Sequence, residues 1–263
     1  MTSPSGGAPS VLTVTVDEGV ATVTIDRPPA NAVDPAMIQE FLDVLPGLSA
    51  DPAVRCIVLT GTGRFFVAGA DIAVMRDLSL ANHVQMRRWI EVQRLLEEAP
   101  KPVVAAINGH ALGGGAELTL ACDLRMAAET ATIGFPEIGL GLFPGAGGSQ
   151  RLPRLLGVHR ARLLMMEGRR LSAAEALEIG LVDDVVPDVQ FADAVANRAR
   201  TLAARPTRTI GLLKQAVEAG AHRDIDAAMD VEWAAVQQVI ATEDAAEGLQ
   251  AFLDKREPVF RGR

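Results

Sequence analysis

The sequence predicts an α/β protein built from repeated strand–turn–helix units, with a helical C-terminal part. Two observations predict this class, and the composition is compatible with it. Short apolar runs with strand composition alternate with stretches of helical period in the first half of the chain. From Gly148 onward the pattern becomes almost wholly helical, with breaks at residues 180–182 and at Pro206. Apolar residues make up 49 % of the 263 residues, enough for a sizeable core.

The first predicted elements are a hairpin and a helix. Residues 11–16 and 20–25 are β-rich runs, and Asp17-Glu18-Gly19 between them is a turn sequence. Asp34-Pro35 then combines an N-cap residue with a proline at the first helical position, which predicts a helix running towards Leu48.

Four further strands and two helices follow in the predicted α/β part. Apolar runs predict strands at residues 56–60, 101–107, 123–127 and 131–134. A helix is predicted at 83–98, where Pro100 stops it, and a glycine-rich turn leads into another helix at Gly114.

These elements divide the chain near residue 200. We expect a core over residues 11–200 and a helical C-terminal region over residues 201–263. Residues 1–10 contain no charged side chain and are rich in Gly, Pro and Ser, which predicts a disordered N-terminus.

Charge and targeting signals restrict the function classes. The chain has 25 Lys and Arg against 33 Asp and Glu, a formal net charge of −8, which argues against nucleic acid or an anionic membrane as partner. A small ligand that carries phosphate stays possible, because it needs only local hydrogen-bond donors.

The N-terminus lacks the features of a signal peptide, and Cys56 and Cys122 are isolated, so a cytoplasmic protein with two buried thiols is expected.

Several familiar motifs are incomplete. The glycines at residues 113–115 lack the third glycine of a dinucleotide fingerprint, and no phosphate-binding P-loop sequence occurs. The four histidines are scattered without metal-ligand spacing, and Ser149 lacks the glycine that a nucleophile elbow requires two residues later. We therefore expect no metal and no redox cofactor.

Three other segments contain groups that are suited to catalysis. Residues 64–72 and 108–117 are each a strand that feeds small residues into a helix start, where backbone N–H groups lack partners. Two such turns, if adjacent, aim two N–H donors at one oxygen and form an oxyanion hole. The third segment, Phe135-Pro136-Glu137, places a carboxylate among apolar residues.

The order and spacing of these segments resemble the crotonase (enoyl-CoA hydratase/isomerase) superfamily, from about Val11 to Arg263. The matching stretches are residues 68–72, 101–109, 113–117, 136–141, 143–152, 174–182 and 255–260. The resemblance implies the crotonase fold, a spiral of ββα turns with a helical C-terminal trimerisation region. It also implies a homotrimer, commonly paired into a homohexamer.

The resemblance assigns roles at single positions. It puts the two oxyanion-hole amides at Ala70 and Gly114 and the catalytic glutamates at Glu117 and Glu137. Glu117 is expected to accept the proton of the attacking water, and Glu137 to deliver a proton to Cα of the substrate. Gly145 matches the position whose backbone supports that water.

The implied activity is the hydration of 2-trans-enoyl-CoA thioesters to 3-hydroxyacyl-CoA. Coenzyme A would then be part of the substrate, and no separate cofactor is expected. The alternatives are an enoyl-CoA isomerase or another crotonase-fold reaction on a specialised acyl-CoA, since the fold hosts several chemistries. An RNA-binding homologue or a non-catalytic subunit is a third possibility, and the net charge disfavours RNA binding.

Contacts to coenzyme A are implied by the same resemblance. The residues at these matching positions are Arg64, Ala68, Asp71, Ile72, Phe252 and Lys255. Two lysines that relatives often carry are absent here: the loop at residues 28–31 is Pro-Pro-Ala-Asn, and Ala73 follows Asp71-Ile72. Recognition of the adenine and the 3′-phosphate is therefore left open.

Overall fold

The computed structural model describes residues 10–77 and 79–263, so the predicted disordered N-terminus lies outside the described residues except for Ser10. The ten strands are β1 Leu12–Asp17, β2 Val20–Ile25, β3 Cys56–Gly61, β4 Phe65–Val67, β5 Val103–Ile107, β6 His110–Leu112, β7 Leu124–Ala128, β8 Thr132–Gly134, β9 Arg170–Ser172 and β10 Asp184–Val186.

Twelve α-helices are assigned within the same residues. They are α1 Pro35–Ala50, α2 Ile72–Met75, α3 Leu80–Arg87, α4 Trp89–Glu98, α5 Gly114–Leu120, α6 Gly148–Leu156, α7 Val158–Glu167, α8 Ala173–Glu178, α9 Phe191–Ala203, α10 Thr207–Gly220, α11 Ile225–Val239 and α12 Glu243–Asp254. Two short 3₁₀ helices span Pro136–Leu140 and Asp188–Gln190.

The strands form two sheets. The larger has the order β1-β2-β3-β5-β7-β10, and only the β1–β2 hairpin in it is antiparallel. The smaller has the order β4-β6-β8-β9, with β4, β6 and β8 parallel and β9 antiparallel. Both the hairpin and the α/β class agree with the expectation from the sequence.

Three successive units of the chain repeat one plan. In each, a longer strand joins the large sheet, a short strand joins the small sheet, and a helix begins directly afterwards: β3–β4–α2, β5–β6–α5 and β7–β8–3₁₀ helix. Because β4, β6 and β8 are parallel, the three helix starts lie along one edge of the small sheet. This is the predicted ββα spiral, and the edge positions the site.

The core is formed by buried residues of both sheets and of the helices that pack against them. Its largest fully buried side chains include Phe41 of α1, Phe66 of β4 and Phe135 after β8. Asp34 caps α1 as predicted, its side chain accepting a hydrogen bond of 2.8 Å from the Met37 amide. Apolar burial of this extent is the main stabilising contribution to folding.

Two expectations about elements need correction. The chain after Gly148 is mostly helical, as predicted, but it also contains the short strands β9 and β10, which pair with β8 and β7. Strands of three residues show too little alternation to be recognised in sequence. The helix predicted at 83–98 is two helices, α3 and α4, which meet at Arg88.

The C-terminal part consists of α10, α11 and α12, as predicted. Arg55, just before β3, donates hydrogen bonds to the Arg205 and Phe260 carbonyls, at 2.7 and 2.9 Å, and so ties this part to the sheet. Residue 200 lies inside α9, and the division into residues 11–200 and 201–263 stays a prediction.

No helix in the described part of the chain combines the length and the apolar character of a membrane span.

Candidate active site

The turns after β4 and β6 bring two backbone amides together. A Cβ added to Gly69 would lie 3.7 Å from the nitrogen of Gly114, and one added to Gly114 would lie 3.8 Å from the nitrogen of Ala70. The two amides predicted to bind the substrate oxygen are therefore neighbours, although Ala70 and Gly114 are 44 positions apart in the chain.

The Ala70 amide is directed away from the protein backbone beside it. Ala70 forms an isolated parallel bridge with Val33, whose amide donates to the Gly69 carbonyl and whose carbonyl accepts from Asp71, both at 2.8 Å. In this pattern the residue between the two bonds points its own N–H to the opposite side. Within residues 10–77 and 79–263 the Ala70 amide donates no hydrogen bond.

The Gly114 amide is the first of α5 and has no carbonyl of its own helix to bind. Gly113 before it has φ +53°, a left-handed conformation that favours glycine, and its amide donates to the Gly134 carbonyl at 2.9 Å. The Trp89 indole nitrogen donates to the Gly114 carbonyl at 3.0 Å. These contacts fix the peptide planes on both sides of the amide.

Glu117 lies in the first turn of α5 and is 2 % exposed. Its Oε1 accepts hydrogen bonds from the Ala146 and Gly148 amides, both at 2.8 Å. A Cβ at Gly148 would lie 2.9 Å from this oxygen, so glycine permits the approach. Burial raises the pKa of Glu117, while the two amides and the Arg151 guanidinium act in the opposite direction.

Glu137 lies in the 3₁₀ helix after β8, and its surroundings differ from those of Glu117. Its Oε1 lies 3.0 Å from the position that a Cβ of Gly113 would take, next to the amide pair. Its Oε2 is buried and has no hydrogen-bond partner among the described residues. Burial, and to a smaller extent the nearby Glu117 carboxylate, raises the pKa of Glu137 to about 7.

The contrast between the two carboxyl groups has a chemical meaning. Two N–H donors favour the charged form of Glu117, whereas a buried oxygen without a donor favours the neutral form of Glu137. A carboxylate and a carboxylic acid beside two free amides can accept one proton and donate another while the amides hold a developing negative charge. The described residues contain no cluster of three or more His, Cys, Asp or Glu that fits a metal ion.

Comparison with known proteins identifies the family of the chain. The model of the enoyl-CoA hydratase/isomerase family matches residues 15–263. The chain is 42 % identical over 247 residues to a crotonyl-CoA hydratase of Syntrophomonas wolfei, covering 93 % of this chain and 95 % of that protein. It is 40 % identical over 243 residues to a short-chain-enoyl-CoA hydratase of Clostridium acetobutylicum, covering 90 % and 92 %.

A solved structure gives the same result. The crystal structure of an enoyl-CoA hydratase from Bacillus anthracis is 38 % identical, covers 97 % of this chain and 100 % of its own, and superposes with a TM-score of 0.92. The chain belongs to the enoyl-CoA hydratase/isomerase family. The predicted crotonase fold is thereby confirmed, and membership implies an enzyme with an acyl-CoA substrate.

The predicted role of Gly145, support of the catalytic water, stays a prediction for this family member. Gly145 is exposed and directly precedes Ala146, one of the two residues that hold Glu117. In the described part of the chain its amide donates no hydrogen bond, which leaves the group available to water.

Three of the residues predicted to contact coenzyme A surround the Ala70 turn. The Ala68 amide already donates to the Ala30 carbonyl at 3.1 Å. Asp71 caps α2 and forms an ion pair of 2.8 Å with Arg27, so its carboxylate has a structural partner. Ile72 is 57 % exposed and can contact a ligand that lies on the turn.

The other three predicted coenzyme A residues are Arg64, Phe252 and Lys255. Arg64 is exposed on the loop between β3 and β4 and makes no ion pair within residues 10–77 and 79–263. Phe252, 83 % exposed, and Lys255, with φ +54°, lie at the end of α12. Within residues 10–77 and 79–263 none of the three forms a hydrogen bond with Ala70 or Gly114, and their role stays a prediction.

Sequence reasoning missed the residues that support the site from behind. Trp89, Ala146, Gly148 and Arg151 all contact the amide turn, Glu117 or the loop that holds it. These contacts join positions that are far apart in sequence and follow no local periodicity. The one signal available was the glycine-rich stretch 145–148, because glycines permit close approach of backbone to a side chain.

Proposed function

We propose that the protein hydrates 2-trans-enoyl-CoA thioesters to 3-hydroxyacyl-CoA. The observation that carries the proposal is the pair of carboxyl groups with opposite surroundings, Glu117 and Glu137, placed next to the Ala70 and Gly114 amides. Hydration needs one group that takes a proton from water and another that gives a proton to carbon. An oxyanion hole alone would serve many reactions.

In this proposal the two amides bind the thioester oxygen. As water adds to Cβ, negative charge develops on that oxygen, and two preorganised N–H donors stabilise it. Each donor contributes about 10²–10³ in rate. The donors are already free and adjacent, so little reorganisation is needed when the substrate binds.

Glu117 acts on the water. Its Oε1 is occupied by the Ala146 and Gly148 amides, and its Oε2 receives no hydrogen bond from the described residues, which leaves that oxygen to accept the water proton. As the O–H bond of the water breaks, its oxygen forms the bond to Cβ. The carboxylate ends the step protonated.

Glu137 supplies the second proton. A carboxyl group with a pKa of about 7 keeps its proton below that pH and can release it to Cα as the enolate collapses. The net reaction adds H and OH across the double bond, and the two carboxyl groups exchange their protonation states.

Enoyl-CoA substrates of several chain lengths, offered to the purified enzyme, test the proposal. We expect loss of the enoyl thioester and formation of the 3-hydroxyacyl product without added metal or nucleotide. If the enzyme instead interconverts 3-enoyl- and 2-enoyl-CoA and forms no hydroxyacyl product, the isomerase function replaces the hydratase. Isomerisation uses the same oxyanion hole and needs no attacking water.

A further inference from the structure

A polar cluster lies behind Glu117 and on the far side of the loop at residues 144–148. It consists of Gln93 and Glu97 on α4 and Arg151 on α6. Arg151 forms a two-pronged ion pair with Glu97, with Nη2 donating to Oε2 at 2.8 Å and Nε donating to Oε1. Its Nη1 donates to the Gln93 side-chain oxygen at 2.6 Å.

The same guanidinium contacts the loop that holds Glu117. Arg151 Nη1 lies 3.4 Å from the Ala146 carbonyl oxygen. A Cβ at Gly147 would overlap Nη1, so the arginine folds directly over this glycine. Ala146 and Gly148, on either side of Gly147, donate the two hydrogen bonds to Glu117. Arg151 therefore fixes the segment whose amides orient the carboxylate.

The cluster is also well enclosed. Gln93 is fully buried, its Nε2 has no partner in the described part of the chain, and its oxygen bonds the guanidinium. A buried N–H without an acceptor is unfavourable, so the Gln93 orientation depends on the charged hydrogen bond to Arg151. The side chain of Arg151 is 17 % exposed, which limits screening of its charge by water.

Helix α4 connects this cluster with the oxyanion hole. Trp89, Gln93 and Glu97 follow one another at four-residue intervals and so lie on one face of the helix. Trp89 holds the Gly114 carbonyl, and the other two hold Arg151. One helix face thus sets the relative position of the amide pair and the carboxylate.

We propose that Arg151 is a positioning residue for Glu117, acting through the 144–148 loop and through its positive charge. Glu97 holds the guanidinium and partly neutralises it. The inference rests on the proposed function only in taking Glu117 as the base. Neither Arg151 nor Glu97 is assigned any contact with the substrate.

The charges around Glu117 set the expected direction of the effects. Arg151 faces it from α6, Glu137 faces it from the turn after β8, and Glu97 on α4 acts through Arg151. Strands β4 and β6, which pack near α5, carry no Asp, Glu, Lys or Arg. The one titratable side chain on them, His110, has its Nδ1 2.8 Å from Thr132 Oγ1. Removing the positive charge should therefore raise the pKa of Glu117, and removing the charge of Glu97 should lower it.

Infrared difference titration of the Glu117 carboxyl, with Glu117→Gln as the reference, tests the inference without any substrate. In Arg151→Met we expect the titration midpoint to rise by about one pH unit, and in Glu97→Gln we expect it to fall by about half a unit. Arg154→Met, an exposed arginine on the same helix, and Glu98→Gln, the exposed neighbour of Glu97, are the matched controls and should leave the midpoint unchanged.

Activity provides the second readout. Arg151→Met should lower kcat about tenfold with little change in KM, because the carboxylate is displaced while the substrate contacts remain. The inference is overturned if the midpoints of Arg151→Met and Glu97→Gln stay at the wild-type value or move in the same direction. If Arg151→Met does not fold, the Glu97→Gln midpoint decides alone. Absence of hydration by the wild-type enzyme would refute the proposed function and leave these titrations interpretable.

Discussion

Glu117 and Glu137 are the same side chain in two different environments. Glu117 is buried but receives two backbone N–H groups, and Glu137 has a buried oxygen that receives none. The difference comes from the backbone, since the 144–148 loop presents its amides to one carboxyl group only. At the scale of single residues, this difference in surroundings is the basis for the proposed roles of Glu117 as proton acceptor and Glu137 as proton donor.

Replacing either glutamate with glutamine keeps the volume and removes the ability to exchange a proton. Glu117→Gln and Glu137→Gln should each lower kcat for hydration by about 10²–10⁴. KM should change little, because the amides of Ala70 and Gly114 remain. The double variant should lose less than the product of the two losses, as groups acting together are not additive. A kcat within a few-fold of wild type in either single variant contradicts the role given to that residue.

The pH dependence follows from the direction of the pKa shift at Glu137. Its folded-state pKa is raised to about 7, so the neutral form needed for proton donation is present below that pH and is lost above it. We expect kcat/KM for hydration to fall as the pH rises through about 7, with an apparent pKa that belongs to the coupled pair. A profile that stays flat well above pH 7 would show that no neutral Glu137 is required.

At the scale of elements, three helix starts on one edge of the small sheet assemble the site. The glycines at these starts allow the elements to approach one another. A Cβ at Gly115, for example, would lie 2.1 Å from the Val67 carbonyl oxygen, so α5 could not begin so close to β4 with a larger residue. The placement of the two amides therefore depends on glycines that let α5 approach β4.

Gly148→Ala tests the contribution of the 144–148 loop. The new methyl group would lie 2.8 Å from Pro144 Cβ and 2.9 Å from Glu117 Oε1, so the loop must move and the two amide hydrogen bonds must lengthen. We expect kcat to fall at least tenfold with a smaller change in KM. Gly47→Ala, in α1 with open space around it, is the control and should keep wild-type kinetics. Unchanged kcat in Gly148→Ala would mean that the loop does not position Glu117.

Sequence alone predicted much of the fold and the chemical groups of the site. The β1–β2 hairpin, the Asp34 cap and the glycine-rich start of α5 each depend on neighbouring residues, and local patterns reveal such features. The three-residue strands β9 and β10 are defined by pairing with strands that are distant in sequence, so no local pattern predicted them. For the same reason the contacts of Arg151 with α4 were not predicted.

At the scale of the whole molecule, the C-terminal helices expose apolar side chains that a monomer leaves uncovered. Ile225, Met229 and Trp233 recur along α11, and Trp233 is 60 % exposed. We predict a homotrimer or homohexamer that buries this face. Light scattering of the wild type should give three or six times the chain mass, and Trp233→Glu should lower it. Val189→Glu changes an exposed apolar position on the 3₁₀ helix before α9 and should leave the measured mass unchanged. A stable wild-type monomer at micromolar concentration contradicts the prediction.

The chemistry proposed for the molecule needs only proton transfer and backbone donors. We therefore expect hydration to continue at the full rate after prolonged dialysis against EDTA, measured beside an undialysed sample. Activity that is lost on dialysis and restored by added zinc would contradict the prediction that no metal is required.

We propose that Glu117 and Glu137 act together to add water to an enoyl thioester. The most direct measurement is incorporation of oxygen from ¹⁸O-labelled water into the C3 hydroxyl of the product formed from crotonyl-CoA, in the wild type and in both glutamine variants. We predict rapid labelling by the wild type and labelling slower by about 10²–10⁴ in Glu117→Gln and Glu137→Gln. No labelled product from the wild type, or labelling at the wild-type rate in either variant, would contradict the claim.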